Sequence, residues 1–189
     1  MSEFYGKSKD ASRDLRSEAQ KAADYARSLG YCKAADYVER NYDGGKFVPG
    51  EAIRVKTRNM GLEGQQNDTG VRFERQAAQL GEDLSVEGVF PVFDSNHHVE
   101  LGEKARDMSL HKQFSACRDD FWDHMYDNPD KMKDITIGQM EKLEKPGGYA
   151  PEGFTWHHNP AAGSYELVKT QQHLESAHTG GNSFWGCEW

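Results

Sequence analysis

Four of the eight histidines in this 189-residue chain lie in one short segment near its C-terminal end. They are His157, His158, His173 and His178. Neutral imidazole binds borderline divalent metals, and its pKa of about 6.5 lets it exchange protons near neutral pH. The segment therefore predicts metal binding, acid–base chemistry or both.

The residues around these histidines predict two strands and a short helix. The first strand covers residues 153–158 and the second covers 165–168, with a short loop of proline and glycine between them. A loop of this length joins antiparallel strands. A helix over residues 169–177 follows, and the glycine pair after it is typical of a helix C-terminus.

This geometry divides the histidines into two groups. His157 and His158 are adjacent on a strand, so their side chains point to opposite faces, and one can bind a metal while the other stays free. His173 and His178 are five residues apart, roughly 140° around a helix, and converge only if the helix ends near Ala177. Three neutral imidazoles suit Zn²⁺, Ni²⁺ or Mn²⁺ better than Ca²⁺ and leave coordination positions for water or a phosphate oxygen.

The first third of the chain predicts helices and a charged strand. Alanines at helical spacing indicate two helices between residues 8 and 42, separated by Gly30. Apolar residues and threonine alternate with cations over residues 53–58, so one face of a strand there carries Arg54, Lys56 and Arg58. This face either contacts a phosphate backbone or lies in solvent.

The middle of the chain predicts a loop, a strand and two helices. Residues 59–83 are polar and glycine-containing, which favours a loop. Residues 88–93 predict either a short aromatic strand or a segment that packs on the core. Apolar spacing predicts helices over 114–126 and 136–144. The second helix faces inward through Ile137, Met140 and Leu143.

The other four histidines match no motif. We expect His97 and His98 to lie on the surface, and His111 and His124 to lie on helix surfaces without a functional role.

Composition excludes several classes of protein. The net charge of −8 argues against a protein that binds nucleic acid by overall charge, but not against an enzyme that binds phosphate through a metal. No segment reaches the roughly 18 apolar residues of a membrane span, and no secretory signal precedes the first helix. The three cysteines, Cys32, Cys117 and Cys187, are too far apart for a CxxC metal site.

The histidine segment resembles a known nuclease family. GFTWHHNPAAGSYELVKTQQHLESAHTGG, followed by SFWG, is similar to WHH-type nucleases of the HNH and endonuclease VII superfamily, the ββα-metal or His-Me finger enzymes. These nucleases occur as C-terminal toxin domains of bacterial polymorphic toxins, including Rhs proteins, contact-dependent inhibitors and type VI secretion effectors. Weaker similarity reaches upstream over residues 59–189, whereas residues 1–58 match no pattern.

The resemblance implies a fold and roles for the histidines. The fold is α+β, with a ββα-metal core at 153–181 in a nuclease domain of residues 59–189 and a mainly helical region at 1–58. His158 takes the position of the general base. The metal positions fall on His157, His173 and His178, and Lys169 is a weaker candidate for substrate binding.

One departure from the family concerns the last two histidines. Colicin-type relatives space them four residues apart, and here the gap is five. The alternative to three histidine ligands is that one of His173 and His178 supports the ligands from behind or binds phosphate.

The implied function is a metal-dependent DNA endonuclease that uses one divalent ion (Zn²⁺, Ni²⁺, Mn²⁺ or Mg²⁺). It would act as an antibacterial toxin, made in the cytoplasm, delivered by a dedicated system into a target cell and neutralised by a cognate immunity protein. The alternatives are an RNase on the same fold, a non-catalytic metal-stabilised binding module, and a phage-type or housekeeping endonuclease.

Overall fold

A computed structural model of the chain describes residues 16–128 and 135–185. The fold is α+β, as predicted, and contains two three-stranded sheets with strand orders β1-β3-β2 and β4-β6-β5. None of the helices in these two stretches has the length and apolar character needed to cross a bilayer.

Two helices open the described chain. They are α1 (Glu18–Ser28) and α2 (Cys32–Asn41), which confirms the two predicted helices within their described residues. Ser17 caps α1 in a reciprocal pair of hydrogen bonds with Gln20, and Gly30, with a φ of 84°, reverses the chain after it. Both helices pack through small residues, because their buried positions are mainly alanines, namely Ala22, Ala23, Ala26, Ala34 and Ala35.

The first sheet corrects the prediction for residues 59–83. It consists of β1 (Ile53–Arg54), parallel to β3 (Leu84–Val92), and β2 (Arg72–Gly81), antiparallel to β3. The expected loop therefore contains a ten-residue strand. Its glutamines and alanines have weak strand preference, but pairing with the apolar strand β3 satisfies its backbone and buries Phe73, Ala78 and Leu80.

The predicted strand at 53–58 is regular only over two residues, yet its alternation holds throughout. Ile53, Val55 and Thr57 are buried, and the three cations between them are exposed. Two of these cations have partners, since Arg54 lies 3.3 Å from Glu87 and Lys56 lies 3.9 Å from Asp43.

Helix α3 (Leu110–Asp127) buries Cys117, Phe121 and Met125, as its spacing predicts. Helix α4 (Ile137–Met140) is shorter than predicted, and turns continue to residue 144. The prediction that Ile137 faces inward is wrong, because its side chain is 81% exposed at the first turn while Met140 and Leu143 are buried. Cys187 lies outside the described residues.

The second sheet carries the predicted strand–turn–strand–helix unit. Strands β5 (Phe154–His158) and β6 (Ser164–Lys169) form an antiparallel hairpin, and α5 (Thr170–Glu175) follows directly. Trp156 is 4% exposed and donates its indole N–H to the backbone carbonyl oxygen of Tyr149.

A third strand, β4 (His97–Glu100), pairs with the other edge of β6. The prediction that His97 lies on the surface is therefore wrong: its side chain is 9% exposed and contacts Asp120 at 2.7 Å. His98, on the opposite face of the strand, is 48% exposed as expected.

The N-terminal helices share one hydrophobic core with the hairpin. The cluster of buried residues that contains Ala23 and Val38 also contains Phe121, Trp156 and Leu167. The helical region is thus packed against the segment that carries the histidines.

Candidate metal centre

Three histidines converge at the junction of the hairpin and α5. One ring nitrogen from each of His157, His173 and His178 lies within 4.8 Å of the other two. The closest pair is His157 Nδ1 and His178 Nε2, which are 3.1 Å apart. Among residues 16–128 and 135–185 this is the one set of three potential ligand groups found so close together.

The early end of α5 brings His178 back toward His173. The helix ends at Glu175. Ser176 caps it, because its backbone N–H and its hydroxyl both donate to the backbone carbonyl oxygen of Gln172. His178 therefore follows a turn rather than continuing the helix, which is the condition that the five-residue spacing required.

Residues from the first third of the chain hold that turn in place. Asn59 donates its side-chain N–H to the backbone carbonyl oxygen of Ser176 at 3.1 Å. The Arg58 backbone N–H donates to Thr179 Oγ1 at 3.1 Å, and Tyr37 bonds the same hydroxyl at 3.2 Å. The position of His178 thus depends on contacts with residues more than 100 positions earlier.

The three rings surround Phe93 and are mostly buried. Their centroids lie 4.9, 6.0 and 5.8 Å from the Phe93 centroid for His157, His173 and His178 respectively. Burial lowers the pKa of all three, to about 4 for His178, where the nearby charges of His173 and Arg58 add to the effect. All three imidazoles are therefore neutral at pH 7 and offer lone pairs.

This donor set fits a borderline divalent ion. A tetrahedral ion with metal–nitrogen bonds of about 2.0–2.1 Å holds its ligands roughly 3.3 Å apart, close to the separation of His157 Nδ1 and His178 Nε2. The His173 nitrogen lies within 4.8 Å of the other two, so binding one ion would require its side chain to rotate inward. The trio contains no carboxylate, so it favours Zn²⁺ or Ni²⁺ over Ca²⁺.

His158 points to the other side of β5 and is not one of the three converging ligand candidates. Its Nε2 is 3.0 Å from Gln113 Oε1 on α3, and its ring packs against Phe114, Tyr165 and Trp185. Burial, with smaller effects of Lys33 and His173, lowers the pKa of His158 to about 4. The ring is neutral at pH 7 and can accept a proton.

All four histidines line one open cleft of about 480 Å³. Arg58 and Asn182 lie on its wall as well. The Arg58 side chain forms no ion pair with any residue that the structure describes, in contrast to Arg54 and Lys56 on the same stretch of chain. From the sequence, Arg58 is only one of three cations on a charged strand face. Its proximity to the histidines arises from folding and is not visible in the sequence.

The structure does not bring Lys169 to this cleft. Lys169 is exposed at the end of β6 and lines a separate groove with Thr69, Gln139 and Phe154. His97 on β4 and His124 on α3 lie near each other, with ring centroids 4.7 Å apart, but outside the cleft.

One family model matches the part of the chain that contains the four histidines. Residues 82–180 match the family model described as the DNase/tRNase domain of colicin-like bacteriocin. No curated protein and no solved structure gave a match. The matched span includes all four histidines and Gln113, whereas Arg58 precedes it.

Proposed function

Because the match covers more than half of the chain, the protein belongs to the family of DNase/tRNase domains of colicin-like bacteriocins, and we propose that this nuclease domain is a metal-dependent DNA endonuclease of the HNH type. Three of its histidines would hold the ion, and the fourth would act on water.

The observation that supports this proposal is that four histidines line one cleft, three of them as converging ligand candidates and the fourth as a separate candidate base. His157, His173 and His178 offer neutral nitrogens within 4.8 Å of one another, while His158 lies beside them on the opposite side of β5. A purely structural metal site needs no additional half-buried, unprotonated histidine next to it. The pair of functions, ligand and base, is what phosphodiester hydrolysis requires.

In the proposed mechanism, the chain supplies the base, the ligands and a cation. His158 removes a proton from a water molecule opposite the leaving oxygen, and its lowered pKa keeps it unprotonated before the reaction. Arg58 attracts the phosphate to the cleft. His157, His173 and His178 would hold a divalent ion, which would supply Lewis-acid stabilisation of the negative charge that develops as the phosphodiester bond breaks.

Supercoiled plasmid tests this proposal directly. Purified protein is incubated with plasmid and Mg²⁺, Mn²⁺, Ni²⁺, Zn²⁺ or EDTA, and products are separated on agarose. We expect nicking or linearisation with at least one metal and none in EDTA. Intact plasmid under every metal would reject the DNA endonuclease and favour either RNA or a non-catalytic module.

RNA is the second candidate substrate, because the matched family is described as containing tRNases as well as DNases. Parallel digestion of tRNA under the metal condition that cleaves plasmid discriminates the two. Cleavage of tRNA with plasmid intact would identify an RNase.

We propose further that the enzyme acts as an antibacterial toxin, that a dedicated system delivers it to the target cell, and that an immunity protein neutralises it. Induced expression in a sensitive bacterium is expected to stop growth and degrade DNA. Normal growth with active enzyme present would favour a housekeeping or phage-type endonuclease.

Replacing Arg58 by alanine is expected to lower kcat/KM for plasmid roughly 10- to 100-fold, the usual effect of losing a hydrogen bond to a charged group. The matched control is Arg54→Ala, which removes an equal charge from the same stretch but outside the cleft. Initial rates at several plasmid concentrations measure both variants. Equal losses in the two would mean that only net charge matters.

A further inference from the structure

Gln113 is a buried amide on a helix face that is otherwise apolar. Its side chain is 1% exposed, and the other buried residues of α3 are Cys117, Phe121 and Met125. Burying an amide is unfavourable unless its hydrogen bonds are satisfied. The partners of this amide therefore indicate what it does.

Backbone carbonyls fix the orientation of the amide. Gln113 Nε2 lies 2.7 Å from the Ala105 oxygen and 3.0 Å from the Met108 oxygen. A carbonyl oxygen only accepts hydrogen bonds, so both must receive N–H groups. The two hydrogens of the amide are thereby used, and the side chain turns its oxygen, Oε1, toward His158.

This orientation determines which nitrogen of His158 carries the hydrogen. His158 Nε2 is 3.0 Å from Oε1, and because the amide oxygen only accepts, Nε2 must donate. A neutral imidazole has one N–H, so Nδ1 keeps its lone pair. Within residues 16–128 and 135–185, Nδ1 forms no hydrogen bond with the protein.

We propose that Gln113 is a positioning residue that holds His158 as the Nε2–H tautomer and leaves Nδ1 as the nitrogen that accepts a proton from water. The assigned use of Nδ1 rests on the proposed nuclease function. The tautomer itself does not, because it follows from three hydrogen bonds that exist without metal or substrate.

A structural role alone makes a different prediction. If Gln113 served only to tie α3 to the turn at residues 105–108, its two donated bonds would suffice and the tautomer of His158 would be independent of it. The tautomer of the His158 ring therefore distinguishes the positioning role from the structural role. The stability of the fold does not, because both roles predict that it falls when Gln113 is replaced.

Nitrogen NMR of the imidazole rings measures this state directly. The protein is labelled with ¹⁵N-histidine, freed of metal with EDTA and recorded at pH 7.5, and the signals missing from His158→Ala identify the ring. We expect a protonated Nε2 and an unprotonated Nδ1 in the wild-type protein. A protonated Nδ1 would overturn the proposal without any need for a variant at Gln113.

Two substitutions distinguish the accepting oxygen of the Gln113 amide from its donating nitrogen. Gln113→Met removes the oxygen and the nitrogen, and is expected to give a mixture of tautomers or a protonated Nδ1. Gln113→Glu keeps an acceptor for His158 but cannot donate to both carbonyls, so Nε2 stays protonated although the fold is less stable. The matched control, Phe114→Leu, changes the packing on the ring and leaves the tautomer unchanged. An unchanged tautomer in folded Gln113→Met would reject the positioning role.

Cleavage provides the second readout. With metal bound, Gln113→Met is expected to lose roughly 10- to 100-fold in kcat, part of the contribution of a general base, with KM and metal affinity unchanged. Wild-type protein that has the Nε2–H tautomer but cleaves no nucleic acid would reject the proposed function and keep the tautomer assignment. Wild-type protein that cleaves plasmid with a protonated Nδ1 would reject this inference alone.

Discussion

Replacing His158 by alanine is expected to reduce the rate of plasmid cleavage by 10²- to 10⁴-fold, the usual contribution of a general base. Metal binding should remain, because the ring of His158 faces Gln113 and the three ligand candidates converge on the other side of β5. Single-turnover cleavage and calorimetric titration with Zn²⁺ measure the two properties separately.

His111→Ala provides the control for this experiment. His111 is an exposed residue on α3 whose ring bonds the Tyr149 hydroxyl outside the cleft, so its loss should leave the rate unchanged. Loss of metal from the His158 variant would contradict the separation of base from ligands. Undiminished cleavage would assign the base to another group.

Replacing His157 by alanine is expected to abolish both metal binding and cleavage. His157 is the most buried of the three candidate ligands and faces the other two rings. Wild-type protein should melt at a higher temperature when Zn²⁺ is added, because a ligand that binds only the folded state stabilises it. The variant should show no such rise, and calorimetry should detect no binding.

His98→Ala is the comparison for the His157 variant, since His98 is an exposed histidine on β4 outside the cleft. It should keep the response to Zn²⁺. Metal binding that persists in His157→Ala would disprove its role as a ligand. The same measurement on separate alanine variants of His173 and His178 determines whether one of them binds phosphate instead, as the five-residue spacing left open.

Local patterns predicted the elements that carry the histidines. The short loop predicted the hairpin, and alternation along a strand predicted that His157 and His158 would separate. Convergence of His173 and His178 was conditional on a helix end near Ala177, and α5 ends at Glu175. The hairpin and the end of α5 depend on neighbours within a few residues, so local patterns can predict them. The position of His178 also requires distant contacts from Tyr37 and Asn59, which no local pattern contains.

The features that escaped prediction depend on distant partners. Strand β2 is too polar to be recognised alone and becomes a strand because β3 pairs with it. His97 is half-buried because β4 pairs with β6, some 70 residues later, and its ring packs against Phe121 and Trp156. Gln113 and Arg58 have ordinary sequence surroundings, and only the folded chain brings them to the histidines.

The contacts of Asn59 and Tyr37 with the residues on either side of His178 also determine when the metal centre can form. These hydrogen bonds span 117 and 142 residues of chain, so the final ligand is positioned only after widely separated segments have met. Closing such long loops is entropically costly and is repaid only by the completed core. We therefore expect a chain cleaved between these segments to lack an ordered centre, and the proposed nuclease activity to require the complete fold.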